Sequence, residues 1–218
     1  LRLIFTYTRP AGHIPELDYT AHHELAVEAA AQSAVLLKND GMLPLKKGAS
    51  IAVIGQMAEK PRYQGGGSSI VNAKNLVSFL AALDGAGQPY TYELGYQADS
   101  STTPALLERA VQAAAKAENV LLFLGLPDSL ECESFDREHL ALPDSHQQLL
   151  EAVAAVNPNI CGVLSCGSPA AGPWLDKTKA LLCMYLAGEG CGEAAARLLF
   201  GEAAPCGRLP ESWPLALE

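Results

Sequence analysis

Short apolar runs, each closed by a glycine or a polar turn, recur along this chain: Ile51-Ala52-Val53-Ile54-Gly55, Asn119 to Gly125, Cys161 to Cys166 and Ala180 to Leu186. Runs of this length with no polar alternation are strands buried on both faces, the habit of a parallel sheet. Tyr90-Thr91-Tyr92-Glu93-Leu94 alternates instead and reads as a further strand with one wetter face. Helical spacing fills the intervals, at about Lys74 to Leu83, from Thr103-Pro104 to about Lys116, from Pro143-Asp144 through Val156, in a short turn near Pro173 to Asp176, and from Gly192 to Phe200. Upstream, Tyr19-Thr20 opens a helix with Thr20 as its N-cap. Helical spacing carries it to Lys38, and Asn39-Asp40-Gly41 stops it. Residues 1 to 19, with Pro10, Gly12 and Pro15, read as an irregular connector from something upstream, and residues 20 to 218 as the folded domain. Strand and helix in alternation predict an α/β fold, a mostly parallel sheet covered by helices on both faces.

The run at Asn119 leads directly into Asp128, Glu131, Glu133, Asp136, Glu138 and Asp144, six carboxylates against the single Arg137. This loop lies at a strand's carboxyl end, where open α/β sheets bind ligands. Mutual repulsion there is expected to raise at least one carboxyl pKa unless Arg137 compensates, and a carboxyl held protonated near neutrality is a proton donor. If the segment is extended, Glu131 and Glu133 project to the same side. A solvated charged loop with no role fits the same residues.

Other loops carry less. Gly65-Gly66-Gly67-Ser68-Ser69 offers bare amides and two hydroxyls, suited to an oxyanion or a sugar hydroxyl, but matches no nucleotide-binding pattern. Gly167-Ser168-Pro169 and Tyr185 to Gly190 read first as turns, with Glu189 a candidate polar contact. His22 and His23 read as packing or surface residues, and His139 and His146 lack metal-ligand spacing, so neither a metal nor a cofactor is expected. No serine lies in a nucleophile elbow. Any chemistry rests on carboxylates.

A formal charge of -9 over 218 residues argues against nucleic acid. No apolar run reaches membrane-spanning length and no signal segment opens the chain, so neither membrane attachment nor secretion is expected. The six cysteines form no C-x-x-C pair, and several sit inside strand-like runs; free buried thiols in a reducing compartment, by default the cytoplasm, are the reading. A homodimer stays open. The abrupt start at Leu1 suggests a piece of a longer polypeptide, while Leu217-Glu218 reads equally as native or as a cloning scar.

The ordered set of His22 to Ala26, Ser33 to Leu45, Ile51 to Gly55, Gly65 to Ser69, Glu131 to Pro143, Gly167-Ser168-Pro169 and Leu199 to Pro214 resembles the carboxyl-terminal domain of family 3 glycoside hydrolases, the β-glucosidase family. The resemblance implies a three-layer (α/β)6 sandwich that packs against an amino-terminal (β/α)8 barrel, its intramolecular partner. The barrel would supply the nucleophilic aspartate, and the sandwich the general acid/base on a loop overhanging the active site, for a β-linked glucoside or short oligosaccharide. A retaining mechanism of this kind sets two carboxyl groups about 5 to 5.5 Å apart. The family's Glu-Gly-Phe-Asp-Arg pattern falls on Glu133-Ser134-Phe135-Asp136-Arg137, which makes Glu133 the acid/base and leaves Glu131 the alternative, since Ser134 stands where glycine is usual. Asp136 and Arg137 would hold the loop, and Gly66, Gly67, Ser68 and Ser69 would line the sugar-binding mouth. With no barrel in these 218 residues, the chain alone is expected to fold without hydrolysing glycosides. The competing reading is a non-catalytic sugar-binding or structural module.

Overall fold

The central strand is the longest apolar run. β4 (Asn119–Gly125) has only its first residue partly exposed and pairs in parallel with β5 (Ile160–Ser165) from Val120↔Ile160 to Gly125↔Ser165. The computed structural model describes residues 1–7, 16–134, 136–172 and 174–214. Pro10, Gly12, Pro15, Phe135, Pro173 and Leu217-Glu218 lie outside the described residues.

Six strands form one sheet in the order β1-β6-β5-β4-β2-β3, with β1 (Val35–Asn39), β2 (Ile51–Ile54), β3 (Thr91–Glu93) and β6 (Ala180–Cys183). Every pairing is parallel except that of the edge strand β1 with β6. Parallel neighbours require crossovers, and the helices supply them. One set comprises α2 (Tyr19–Ser33), α3 (Phe79–Gly85) and α7 (Cys191–Leu199); the other comprises α4 (Pro104–Lys116), α5 (Asp144–Ala154) and α6 (Trp174–Lys177). They cover opposite faces. Ile54 is the register partner of Leu122, and on their side it closes on Gly95 together with Leu149 of α5. Phe123, next along β4, points the other way, its ring 4.8 Å from that of Phe79 in α3. The α/β expectation holds.

Several boundaries differ from expectation, among them the end of the last strand, which stops at Cys183 and not at Leu186. The segment to Lys38 does not stay helical: α2 ends at Ser33, Ala34 turns extended, and Val35–Asn39 becomes β1. Register pairs Val35↔Cys183 and Asn39↔Ala180 satisfy its backbone, and the β-branched Val35 suits the buried edge. The cap of α2 is Asp18, whose Oδ1 takes the Ala21 N–H at 3.0 Å, so Thr20 lies inside the helix. The helix expected from Lys74 begins only at Phe79. Val77 gives its N–H to the Glu189 carbonyl and its carbonyl to the Gly192 N–H, which holds the preceding chain out of a helix until Ser78 caps α3. Residues 2 to 7 of the expected connector are a short helix, α1 (Arg2–Tyr7). Thr103 caps α4 through Leu106 N at 3.3 Å, with Pro104 in its first turn, as expected.

Candidate active site

The loops that follow β2, β4, β5 and β6 converge on one cleft. Gly65 and Gly66 come from the first, Leu130 to Glu133, Asp136 and Arg137 from the second, Gly167 and Ser168 from the third, and Leu186 from the fourth. The convergence follows from parallel strands, which all end at the same sheet edge.

At the floor lies Arg62, which the sequence reading passed over. It is buried and donates four ways: Nε to Asp128 Oδ1 at 2.7 Å, Nη1 to the Leu126 carbonyl at 2.6 Å and to Glu131 Oε2 at 2.5 Å, and Nη2 to the Glu131 carbonyl at 2.9 Å. The acidic stretch therefore wraps a guanidinium, whose fork suits several acceptors at fixed angles. Arg62, and not Arg137, pairs with Asp128 and Glu131. Only its place in Pro61-Arg62-Tyr63-Gln64, between a predicted strand and the glycine run, could have signalled it.

Glu131 is held through both oxygens. Besides Arg62, its Oε2 accepts the Gly167 N–H at 2.8 Å and its Oε1 accepts the Ser168 hydroxyl. Its side chain is 16 % exposed. Gly167 fits closely: a Cβ there would lie 3.1 Å from Leu186 Cδ1 and 3.3 Å from the Glu131 carboxyl, so both would have to give way slightly.

Glu133 is the opposite case, an exposed carboxylate at the rim. Its Oε2 accepts the Ser68 hydroxyl at 2.5 Å and the Ser68 N–H at 2.9 Å. Those two donors hold its pKa below the ordinary carboxylate value, the hydroxyl contributing most. The expected rise is thus absent at Glu133 in this chain, because the neighbouring carboxylates are paired with Arg62 and the nearest polar groups are donors. Nor is the segment extended. Turns at Leu130 and Glu131 and a left-handed Ser134 (φ 72°) send Glu131 inward and Glu133 to the glycine loop.

Gly67 explains the glycine run. Its φ is 77°, and a Cβ there would lie 2.8 Å from both Cβ and Oε2 of Glu133, so a side chain would evict the carboxylate. Ser69 donates its hydroxyl to the Gly66 carbonyl at 3.1 Å, closing the 3₁₀ turn Gly67–Ser69 that presents Ser68. Arg137 donates to the Pro169 carbonyl at 2.5 Å, a tie from the acidic loop to the turn after β5. Asp136 is exposed at the rim. The loop's exit is fixed by the Ala171 N–H on the Leu140 carbonyl at 2.8 Å.

Among the remaining candidates, His23 is buried between Glu189 (Nδ1 to Oε1, 3.1 Å) and Glu193 (Nε2 to Oε2, 2.5 Å), away from the cleft, while His22 and His139 are exposed. Burial alone would lower the His23 pKa, but the bonds to Glu193 and Glu189 raise it overall. His146 is buried in α5 against Tyr96. Among the described residues no cluster of His, Cys, Asp and Glu could hold a metal ion, and no helix is long and apolar enough to cross a membrane. The cysteines are free, four of them buried, with Cys132 in the cleft and Cys206 exposed.

The chain has known relatives. Residues 34–218 match the family described as "Glycosyl hydrolase family 3 C-terminal domain". The chain belongs to that family. Thermostable beta-glucosidase B of Acetivibrio thermocellus is 42% identical over 222 residues, covering 100% of this chain and 29% of that protein. An exo-alpha-(1->6)-L-arabinopyranosidase of Bifidobacterium longum is 43% identical over 210 residues, 91% of this chain and 28% of the relative. The chain thus spans less than a third of these curated relatives. Of solved structures, the GH3 beta-glucosidase of Bifidobacterium adolescentis superposes with a TM-score of 0.84 at 43% identity over 87% of this chain and 28% of that one. A beta-glucosidase from Streptomyces venezuelae in complex with D-glucose gives 0.87 at 26% identity, over 97% and 41%. The family 3 sandwich expected from the motifs is the fold observed.

Proposed function

We propose that this family 3 domain serves a retaining β-glycosidase, with a β-glucosidase as the first reading, and that Glu133 is its general acid/base. The observation that carries the assignment is the contrast between the two glutamates. Both oxygens of Glu131 are tied to protein donors, Oε2 to Arg62 and Gly167 and Oε1 to Ser168, and its side chain is largely buried. Glu133 is exposed, and among the described residues its carboxylate accepts from Ser68 alone. A group that gives and takes a proton must reach solvent and substrate.

The nucleophile comes from a (β/α)8 domain outside these residues. In the first step Glu133 protonates the departing glycosidic oxygen; in the second it removes a proton from the attacking water. Ser68 favours the carboxylate, the form the second step needs. Covering the rim with a second domain removes water and brings another carboxylate near, and both effects push the Glu133 pKa up toward the acid form. Relatives of equal similarity carry glucosidase and arabinopyranosidase names, which supports placing sugar choice outside this domain.

The test uses the full-length enzyme on an aryl β-glucoside, as wild type, Glu133→Gln and Glu131→Gln, with and without azide. An activated aryl group leaves without protonation, so Glu133→Gln slows mainly deglycosylation, and azide restores turnover as a glycosyl azide. Azide rescue of Glu131→Gln in place of Glu133→Gln would refute the assignment.

A further inference from the structure

We infer that Arg62 is a positioning residue for the acid/base: it sets where Glu133 stands by clamping the main chain two residues ahead of it. The inference rests on the reading of Glu133 above.

Arg62 and Ser68 lie six residues apart on one segment, and the acidic loop is tied to that segment at both points. At one end the guanidinium holds Glu131 by its carboxylate and its carbonyl; at the other Ser68 holds the Glu133 carboxylate. Only Cys132 lies between the two ties, and it is pressed on the glycine loop, its Sγ 3.2 Å from where a Gly66 Cβ would be. The same guanidinium takes Leu126 and Asp128 at the root of the loop, so root and tip are referred to one rigid, buried group. Glu131 extends the clamp to Gly167 and Ser168 after β5. Arg62 itself lies behind Glu131 and donates no bond to Glu133. Its influence on proton transfer passes through the backbone, and a misplacement of about 1 Å is enough to cost about 100-fold.

Lysine keeps the charge but has one ammonium in place of a planar fork and cannot reach four acceptors on three sides. Arg62→Lys should therefore loosen the clamp, with Glu131→Gln a second, isosteric way to weaken it. The readout is a ratio taken within one preparation of full-length enzyme: kcat/KM on a β-linked disaccharide over kcat/KM on 2,4-dinitrophenyl β-glucoside. The disaccharide needs the proton and the dinitrophenyl glucoside does not, so the ratio reports acid catalysis and cancels any loss of folded protein. Expected is a drop of about 100-fold or more for Glu133→Gln, within the usual span of general acid catalysis, and of about 10-fold for Arg62→Lys and Glu131→Gln. In the double variant Glu133→Gln/Arg62→Lys the ratio should fall no further than in Glu133→Gln alone. A drop confined to Glu133→Gln overturns the role of Arg62 and leaves the acid/base standing. No drop in Glu133→Gln overturns the reading on which this one rests.

Discussion

Ser68 and Glu133 meet through a single oxygen: the Ser68 N–H at 2.9 Å and its hydroxyl at 2.5 Å both end on Glu133 Oε2. Donors aimed at a carboxylate stabilise its charged form, and here they do so at an exposed site where desolvation opposes them little. The carboxyl we propose as the acid/base is thus held in its charged form on the glycine loop.

Removing the hydroxyl should move that balance. Ser68→Ala keeps the N–H but loses the larger contribution, so the Glu133 pKa should rise toward the ordinary carboxylate value. A carboxyl-detected NMR titration of the chain, with Glu133→Gln to assign the resonance, measures it. An unchanged midpoint would mean that the hydroxyl bond is not made in solution.

Ser134 should be a source of strain. It holds φ 72°, a region L-residues enter at a cost of roughly 1 to 2 kcal/mol, and the family pattern carries glycine at this place. Ser134→Gly relieves that cost but adds chain entropy to the unfolded state, leaving a net gain of about 0.5 to 1 kcal/mol. Urea unfolding of the two chains should show a higher midpoint with the same slope; a lower one would show that the serine conformation is not strained.

Stability should fall on both sides of neutrality, for two histidines with opposite environments. His146 is buried, its Nε2 has no partner, and its pKa is pushed down to about 3 by desolvation, the Gly125 N–H bonding Nδ1 of the neutral ring. Between pH 6.5 and 3 the unfolded chain binds the proton and the folded one does not, so stability is full above 6.5 and declines below it by up to about 1.4 kcal/mol per pH unit. His23 is raised, so its contribution is full below 6.5 and is lost as pH climbs through its folded value. In thermal unfolding across pH 4 to 9, His146→Phe should flatten the acid limb and His23→Gln the alkaline one. Parallel curves for variant and parent would rule out the histidine concerned.

Much of this was legible locally. β4, β5 and the start of α4 were readable because burial on both faces needs uninterrupted apolar runs, and because Thr103-Pro104 is a complete cap. Glu133 became the acid/base candidate because the family motif aligned on it, with Glu131 kept as the alternative. By contrast, Leu36 and Leu37 fit helical spacing equally well, and only the pairing of their segment with β6, where Leu36 lies opposite Leu182, made it strand. The segment before Phe79 was decided by α7, whose Gly192 and the preceding Glu189 take both backbone groups of Val77.

The sequence by itself determined the α/β alternation, the acidic loop at a strand's carboxyl end and the family. Apolar period, caps and motif spacing are properties of short stretches, so they can be read without the fold. Tertiary structure alone decided that Arg62 and not Arg137 neutralises Asp128 and Glu131, that Glu131 is spent on Arg62, Gly167 and Ser168, and that Glu133 stands free on Ser68. Each of those outcomes depends on which donor arrives from a distant loop, 36 residues away for Gly167 and 65 for Ser68. Electrostatic pairing acts over a few ångströms of space, and separation along the chain carries no record of it.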